Sequence, residues 1–185
     1  MIKKIIAVIL TLMLVLPALP LGVSAGTDYR LSVGDENVMS NRLSGEGWSF
    51  DPETNTLTLE NFSYSGGGHT VSKSNLTNGN AHATIAYDSI EKLTINVVGN
   101  NNVTAYGVSG NLAAGIYTRG PLVITGGGSL TCEATGGSDC MGIASEEKLT
   151  VKDVRLTAKS GNASYKSYGL RAITVENATT WTWKP

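Results

Sequence analysis

LVITGGGSLTCEATGGSDCMGIASEEK, residues 122–148, is the central copy of a sequence repeat, because the sequences on either side are variations of it. A copy precedes it, LTINVVGNNNVTAYGVSGNLAAGIYTRGP from residue 93, and another follows, LTVKDVRLTAKSGNASYKSYGLRA from residue 149. A fourth copy opens with ITVENATT at residue 173, so successive copies start 29, 27 and 24 residues apart. Self-similarity at such a period is typical of stacked-repeat proteins, and the sequence therefore predicts a solenoid.

Each copy contains three short strand-like pieces separated by corners rich in Gly and Asn. In the central copy these pieces are residues 122–124, 130–132 and 142–144. Because side chains two residues apart share a face of a strand, equivalent apolar residues of the copies form columns facing one axis. Gly and Asn suit corners that need a positive φ. We predict an all-β, right-handed parallel β-helix with three sides and about four coils, the hand following from the chirality of parallel crossovers.

An antiparallel β-sandwich is the alternative fold, since it also has short alternating strands and frequent turns. The regular offset from the first strand of each copy to a Gly-hydrophobic pair argues against it. That pair begins at Gly115, Gly142 and Gly169, which lie 22, 20 and 20 residues after the starts of their copies. A sandwich gives no reason for this regularity.

Residues 1–25 have the pattern of a bacterial secretory signal. A basic start is followed by an apolar core over residues 5–16 and by small residues at 23–25 that form a cleavage site. An uncleaved membrane anchor is the alternative, but Pro17 and Pro20 interrupt the apolar run too early for a span. We expect a secreted or cell-surface protein with no membrane span after signal cleavage.

The remaining 160 residues carry a net charge of −3 and suit one domain. This acidity argues against nucleic acid as a partner, which calls for a basic face. We predict N-terminal cap hairpins over residues 26–56 and a parallel β-helix over residues 57–185. In the cap, Trp48 and Phe50 cover the first coil, with a sugar-stacking platform on Trp48 as the alternative.

The C-terminal sequence leaves two interpretations open. Either Trp181 and Trp183 fold over the last coil, or the chain is a truncated piece of a longer protein.

The sequence also resembles a known group of exported proteins from Firmicutes, described as carbohydrate-binding-domain-containing or right-handed parallel β-helix repeat proteins. The resemblance rests on GWSFDPETNTLTLENF at residues 47–62 and on LTINVVGNNNV, GIYTRGPLVITGGGSL and GIASEEKLTV further along. It implies a β-helix and an extracellular module that binds glycan. Calcium-binding β-helices look similar too, but their Gly-Asp-Gly-Ile turns are replaced here by sequences such as Met141-Gly142-Ile143, which do not support calcium.

Catalytic chemistry has little support in the sequence. A polysaccharide hydrolase needs two carboxylates a few ångströms apart on one face. The coils place Glu146 and Glu147 at a corner and Asp153 in a turn, so these carboxylates share no column. His69 and His82 have no cysteine near them in the sequence, and we expect no metal site and no cofactor.

The two cysteines leave an open question. Export permits a disulfide between Cys132 and Cys140, whereas Cys132 also suits an inward column as a buried thiol beside Ala105 and Ala158.

Glycan binding needs exposed aromatic rings together with polar hydrogen-bonding groups. Tyr117 and Arg171 point outward on the third strand of their coils, and Tyr165 and Tyr168 lie on the adjoining loop. These four residues are the predicted ligand-binding face, and ordinary surface tyrosines are the alternative interpretation. We expect a non-catalytic module for polysaccharide or cell-wall glycan. The alternatives are a structural spacer or adhesin segment without a small ligand and, with less support, a relative of polysaccharide lyases or hydrolases.

Overall fold

A computed structural model describes residues 26–72, 74–77, 79–108 and 110–176, together with the backbone of residues 181–184. The predicted signal at residues 1–25 lies outside this part, as do the side chains of Trp181 and Trp183. Every regular element in the described residues is a β-strand. These residues include no helix long and apolar enough to cross a membrane.

Three sheets form the three sides of the molecule. Sheet 1 contains the parallel strands β8 (Ala81–Tyr87), β11 (Leu112–Thr118), β14 (Asp139–Ser145) and β17 (Lys166–Arg171), with β1 (Asp28–Val33), β2 (Glu36–Met39) and β7 (His69–Val71) joined antiparallel at the β8 end. Sheet 2 contains the parallel strands β5 (Thr56–Glu60), β9 (Leu93–Val98), β12 (Leu122–Thr125), β15 (Lys148–Val151) and β18 (Thr174–Glu176), with β3 (Ser44–Gly45) and β4 (Trp48–Asp51) joined antiparallel at its β5 end. Sheet 3 contains β6 (Ser63–Gly66), β10 (Asn100–Tyr106), β13 (Ser129–Thr135), β16 (Arg155–Ser160) and β19 (Trp181–Lys184), all parallel.

The parallel strands stack coil upon coil, as the repeats predicted. Leu93, Leu122 and Leu149 are register partners in sheet 2, and all three side chains are fully buried. The architecture is a β-solenoid that fits a right-handed parallel β-helix, and the predicted fold class is confirmed. It has about three regular turns, slightly fewer than the expected four, because the hairpin through β7 interrupts the first coil.

One alignment made from the repeats is wrong by two residues. In sheet 3, Cys132 pairs with Val103 rather than with Ala105, and Asn101 takes the position of Leu130. A shift of two keeps every side chain on its original face, so Val103 and Ala105 stay buried, but it adds the polar Asn101 to the inward column. Asn101 is tolerated there because its Oδ1 accepts the Phe62 N–H at 2.8 Å and its Nδ2 donates to Val98 O at 3.0 Å.

The repeated Gly-hydrophobic pair marks a break in the alternation of sheet 1. In a regular strand, residues three apart point to opposite faces. Ala113 and Ile116 are three apart, yet both lie in buried clusters of the interior. Gly115 and Gly142 are left out of the register between β11 and β14. A Cβ atom on Gly115 would lie 2.6 Å from the Gly142 carbonyl oxygen, so only glycine fits where these coils approach.

The N-terminal hairpins cover the first coil. β1 pairs antiparallel with β8, and β4 pairs antiparallel with β5, so the first parallel strands of sheets 1 and 2 are not left as open edges. Trp48 and Phe50 are each 5% exposed and belong to the main core. Trp48 is therefore core rather than a sugar-stacking platform.

The cysteines are two buried thiols and do not form a disulfide. Cys132 packs in the main core, whereas Cys140 packs in a separate cluster with Ala113 and Ala134. Burial raises the pKa of both thiols and so disfavours the reactive thiolate.

We expect neither thiol to react with Ellman's reagent in the folded protein, and both to react after unfolding in guanidinium chloride. The measurement is the absorbance released per mole of protein under the two conditions. The same measurement on the denatured protein without a reductant tests for a disulfide, because a disulfide would leave no free thiol to react.

Candidate functional site

The outer face of sheet 1, where the predicted ligand-binding side chains point, is crossed by a segment of the first coil. We call the described residues of the range 72–80 the strap. Its Leu76 carbonyl oxygen accepts a hydrogen bond from Arg171 Nη1 at 3.0 Å, and its Ser72 carbonyl oxygen accepts one from Arg119. The Asn80 N–H donates to Asn111 Oδ1 at 3.2 Å. The strap is therefore tied to several coils at once.

An apolar layer lies between the strap and the sheet. Leu76 of the strap packs against a buried cluster that consists of Val71, Ala81, Ala83, Ala86, Leu112, Ala114, Tyr117, Met141 and Ala144. Most of these side chains are small, which allows the strap backbone to approach the sheet. The outer face is thus a second, thinner core rather than an open surface.

Tyr117 is the residue for which the sequence prediction fails. It points outward from β11 as expected, but the strap covers it and its exposed fraction is 0%. Its hydroxyl donates to Glu146 Oε1 at 2.5 Å. Burial, and then this hydrogen bond to a carboxylate, raise the pKa of Tyr117 above its ordinary value. Tyr117 is therefore not an exposed ligand contact.

Glu146 fastens the strap to the third coil. In addition to the Tyr117 hydroxyl, its carboxylate accepts the Asn75 N–H at 2.7 Å and the Asn75 side-chain amide at 2.5 Å. The Ser74 hydroxyl lies 3.4 Å from the same carboxylate. Hydrogen bonds to an ionised group are stronger than neutral ones, so this carboxylate is a structural anchor.

The other three predicted residues lie near the far end of the strap. Arg171 is half-buried and engaged with the strap through Leu76. Tyr165 and Tyr168 are 75% and 41% exposed. The structure does not bring all four residues into one exposed aromatic platform, and it leaves Tyr165 as the most accessible ring among them.

A cleft opens between Tyr165 and the strap, and we call it the Asp139 cleft. Its cavity volume is about 400 Å³. It is lined by Leu76, Thr77, Gly79, Gly110, Asp139, Tyr165 and Lys166. Strap residues form one wall, and the start of β14 and the residues around the start of β17 form the other. The Lys166 ammonium lies 4.7 Å from the centre of the Tyr165 ring.

Asp139 places a buried carboxylate in the lining of this cleft. The residue is 8% exposed, and its Oδ1 atom, which is buried, has no hydrogen-bond partner within the described part of the chain. Burying a carboxylate oxygen without a donor costs free energy, so groups of this kind in folded proteins call for an explanation.

The sequence does not reveal the Asp139 cleft. Asp139 follows Gly136-Gly137-Ser138 and has the pattern of an ordinary corner residue. Its opposite wall comes from Thr77, which lies 62 positions earlier in the chain. The sequence signal nearest to it is the Gly/Ser/Asn-rich stretch of residues 63–80, which indicates a long loop but not where that loop packs.

The residues from 26 to 176 that the structure describes contain no group of three or more His, Cys, Asp or Glu residues arranged to hold a metal ion. His82 is instead paired within the β7–β8 hairpin, since its Nδ1 lies 3.1 Å from the Thr70 hydroxyl.

Comparisons of this chain with protein-family models, with curated proteins and with solved structures found no match.

Proposed function

We propose that this chain is a non-catalytic extracellular module that binds polysaccharide, and that the Asp139 cleft is its binding site. The observation that carries the proposal is a cleft in which the Asp139 carboxylate, whose Oδ1 atom has no hydrogen-bond donor among the described residues, lies together with an exposed tyrosine, Tyr165. The resemblance of the sequence to exported carbohydrate-binding proteins supports the same assignment.

The lining of the cleft suits a sugar ring. A pyranose has an apolar face that stacks on an aromatic side chain, and Tyr165 offers such a ring at 75% exposure. Sugar hydroxyls both donate and accept hydrogen bonds. The Asp139 carboxylate accepts, the Lys166 ammonium donates and the Thr77 hydroxyl does either. The volume of about 400 Å³ is in the range of small-ligand sites.

The openness of the site favours a chain over a single sugar. The cleft lies on an outer face of the solenoid, between the strap and the exposed residues Tyr165 and Lys166. A polymer can enter such a site with one residue in the cleft while its neighbours extend over the surface. Binding of this kind needs no reacting groups.

The first experiment measures retention of the purified protein on immobilised or insoluble polysaccharides, with calcium and with chelator. The panel contains cellulose, pectins, mucin glycans and peptidoglycan. Tyr165→Ala should weaken retention on the selected glycan about tenfold, as expected for loss of one stacking contact of about 1–1.5 kcal/mol. Tyr106→Ala is the matched control, because Tyr106 is 51% exposed, belongs to sheet 3 and does not line the cleft.

The Asp139→Asn variant separates binding from folding. We expect retention to fall about tenfold or more, since hydrogen bonds to a charged group contribute about 1.5–3 kcal/mol. The midpoint of urea unfolding should stay unchanged or rise, because the variant removes a buried charge whose Oδ1 has no partner in the described residues. A lower midpoint, or full retention by both variants, would contradict the proposal and favour a structural spacer.

A further inference from the structure

A second polar cleft lies at the other end of the strap, where β1 and the β7–β8 hairpin meet over the first coil. Its volume is about 260 Å³. The groups that matter for its chemistry are those of Asp28, Arg30, Asn37, His69, Ser72 and Asp88. None of them belongs to the Asp139 cleft. We call this region the Arg30 cleft.

Arg30 is held in an unusual backbone conformation. Its φ is +55°, and among the described residues the other non-glycine positions with positive φ are Asn or Asp, which tolerate that region better. The strand bulges here, because Asp28 and Ser32 of β1 pair with Met39 and Asn37 of β2. Bulges redirect side chains, and strained conformations of this kind concentrate at functional sites.

Two backbone contacts fix the strained residue in place. The Arg30 N–H donates to Asp28 Oδ1 at 2.8 Å, and the Arg30 carbonyl oxygen accepts the Asp88 N–H at 2.8 Å. The guanidinium also donates to Asp88 Oδ2 at 3.3 Å. The side chain is nevertheless 61% exposed, so most of its N–H groups face the cleft or solvent.

The hydrogen-bonding groups still available in this cleft are mainly donors. Both oxygens of Asp88 are engaged, one by Arg30 and the other by Arg119. The Asn37 Oδ1 atom accepts the Ser32 hydroxyl at 2.8 Å, which leaves the Asn37 amide N–H groups to donate. Asp28 is therefore the one cleft carboxylate not already paired with a guanidinium among the described residues.

Two further side chains of the cleft have hydrogen-bonding groups available for a ligand. The His69 ring and the Ser72 hydroxyl make no side-chain hydrogen bond within the described part of the chain. Both are able to donate to an acceptor in the cleft. An acceptor-rich ligand that is small and anionic matches this set, and the planar fork of a guanidinium is well suited to a carboxylate.

We infer that the Arg30 cleft binds a carboxylate carried on a small hydroxylated molecule, such as a sugar acid. The Arg30 guanidinium and the Asn37 amide receive the carboxylate, and the His69 ring and the Ser72 hydroxyl contact the hydroxyl groups. Asp28 holds the Arg30 backbone in position and, through its charge, opposes the anion. This site is independent of the Asp139 cleft.

Isothermal titration calorimetry on the whole protein tests the inference with three probes: glucuronate, glucose and acetate. We expect glucuronate to bind and glucose to bind at least tenfold more weakly, since it lacks the carboxylate. Acetate should bind more weakly than glucuronate, because it lacks the hydroxyl groups that the His69 ring and the Ser72 hydroxyl contact; equal affinity would overturn that part of the inference. A glucose affinity equal to that of glucuronate, or no binding of glucuronate, would overturn the inference.

Three variants make the test specific. Arg30→Gln should weaken glucuronate binding about tenfold or more, while Arg42→Gln should not change it. Arg42 is a fair control because it is 55% exposed and also paired with a carboxylate, that of Glu36. Asp28→Asn keeps the Oδ1 acceptor for the Arg30 N–H and removes a negative charge, so it should tighten glucuronate binding.

Weaker glucuronate binding by Asp28→Asn would overturn the assignment. Unchanged glucuronate binding by an Arg30→Gln protein that has the thermal unfolding of the parent would overturn it too. Asp139→Asn should leave glucuronate binding unchanged, so a failure at this cleft is distinguishable from a failure at the Asp139 cleft.

Discussion

Tyr117→Ala is expected to lower the free energy of unfolding by about 3–5 kcal/mol, the usual range for removing a buried aromatic side chain. Tyr117 is fully buried between sheet 1 and the strap, and the strap cannot collapse into the space because Glu146 holds it in place. The truncation also leaves one Glu146 oxygen without its tyrosine donor. Equilibrium unfolding in urea, followed by tryptophan fluorescence, measures the difference.

Tyr165→Ala is the matched control for this prediction. Tyr165 is 75% exposed, so we expect a change within about 0.5 kcal/mol. Similar losses for the two variants would mean that the strap does not cover Tyr117 in solution. A loss of about 1–3 kcal/mol in Tyr117→Phe would attribute part of the effect to the Glu146 hydrogen bond.

Gly142→Ala should destabilise the fold by about 3 kcal/mol, at the upper end of the usual cost of overpacking. A Cβ atom on Gly142 would lie 2.7 Å from Gly169 O and 2.7 Å from both the N and the O of Lys159. All three are backbone atoms, so no side chain is able to move aside. The fourth coil would have to shift as a whole, at the cost of its register with the third.

Gly127→Ala controls for the general effect of replacing glycine, since nothing lies within 4 Å of a Cβ atom at that corner. We expect its unfolding midpoint in urea to stay close to that of the parent protein. Equal midpoints for the Gly142 and Gly127 variants would show that the close approach of the coils is relaxed in solution.

The sequence predicts the solenoid because its signal is repeated. A single strand such as β12, with four residues, is ambiguous alone, but Leu93, Leu122 and Leu149 recur with the same neighbours. Stacking is the arrangement that buries all such copies at once. The two-residue error at Asn101 shows the limit of this reasoning. The apolar pattern predicts which face of the sheet a residue points to, but not which residue of the next coil it pairs with. Asn101 occupies a core position because of hydrogen bonds that only the fold reveals.

The candidate sites are far less predictable, since they depend on where an irregular segment packs. Periodicity correctly indicates that Tyr117 points outward, yet exposure depends on the strap, whose composition resembles that of an ordinary loop. Arg30 and Asp139 are likewise single residues outside any motif, and the clefts that they line depend on a bulge and on a wall contributed by a distant segment. Contacts of this kind have no short-range signature in the chain.

The strap changes how a molecule of this type should assemble. A plain solenoid behaves as a one-dimensional array, in which each coil feels only its neighbours and the ends can fray separately. Here a segment of the first coil bonds to Glu146, 71 positions ahead of Asn75, and to Arg171, 95 positions ahead of Leu76. Such long-range closure comes late in folding, because the strap has nowhere to dock until the later coils exist. Once docked, it links the first and fourth coils, so that unfolding of the fourth coil also breaks contacts made by the first coil.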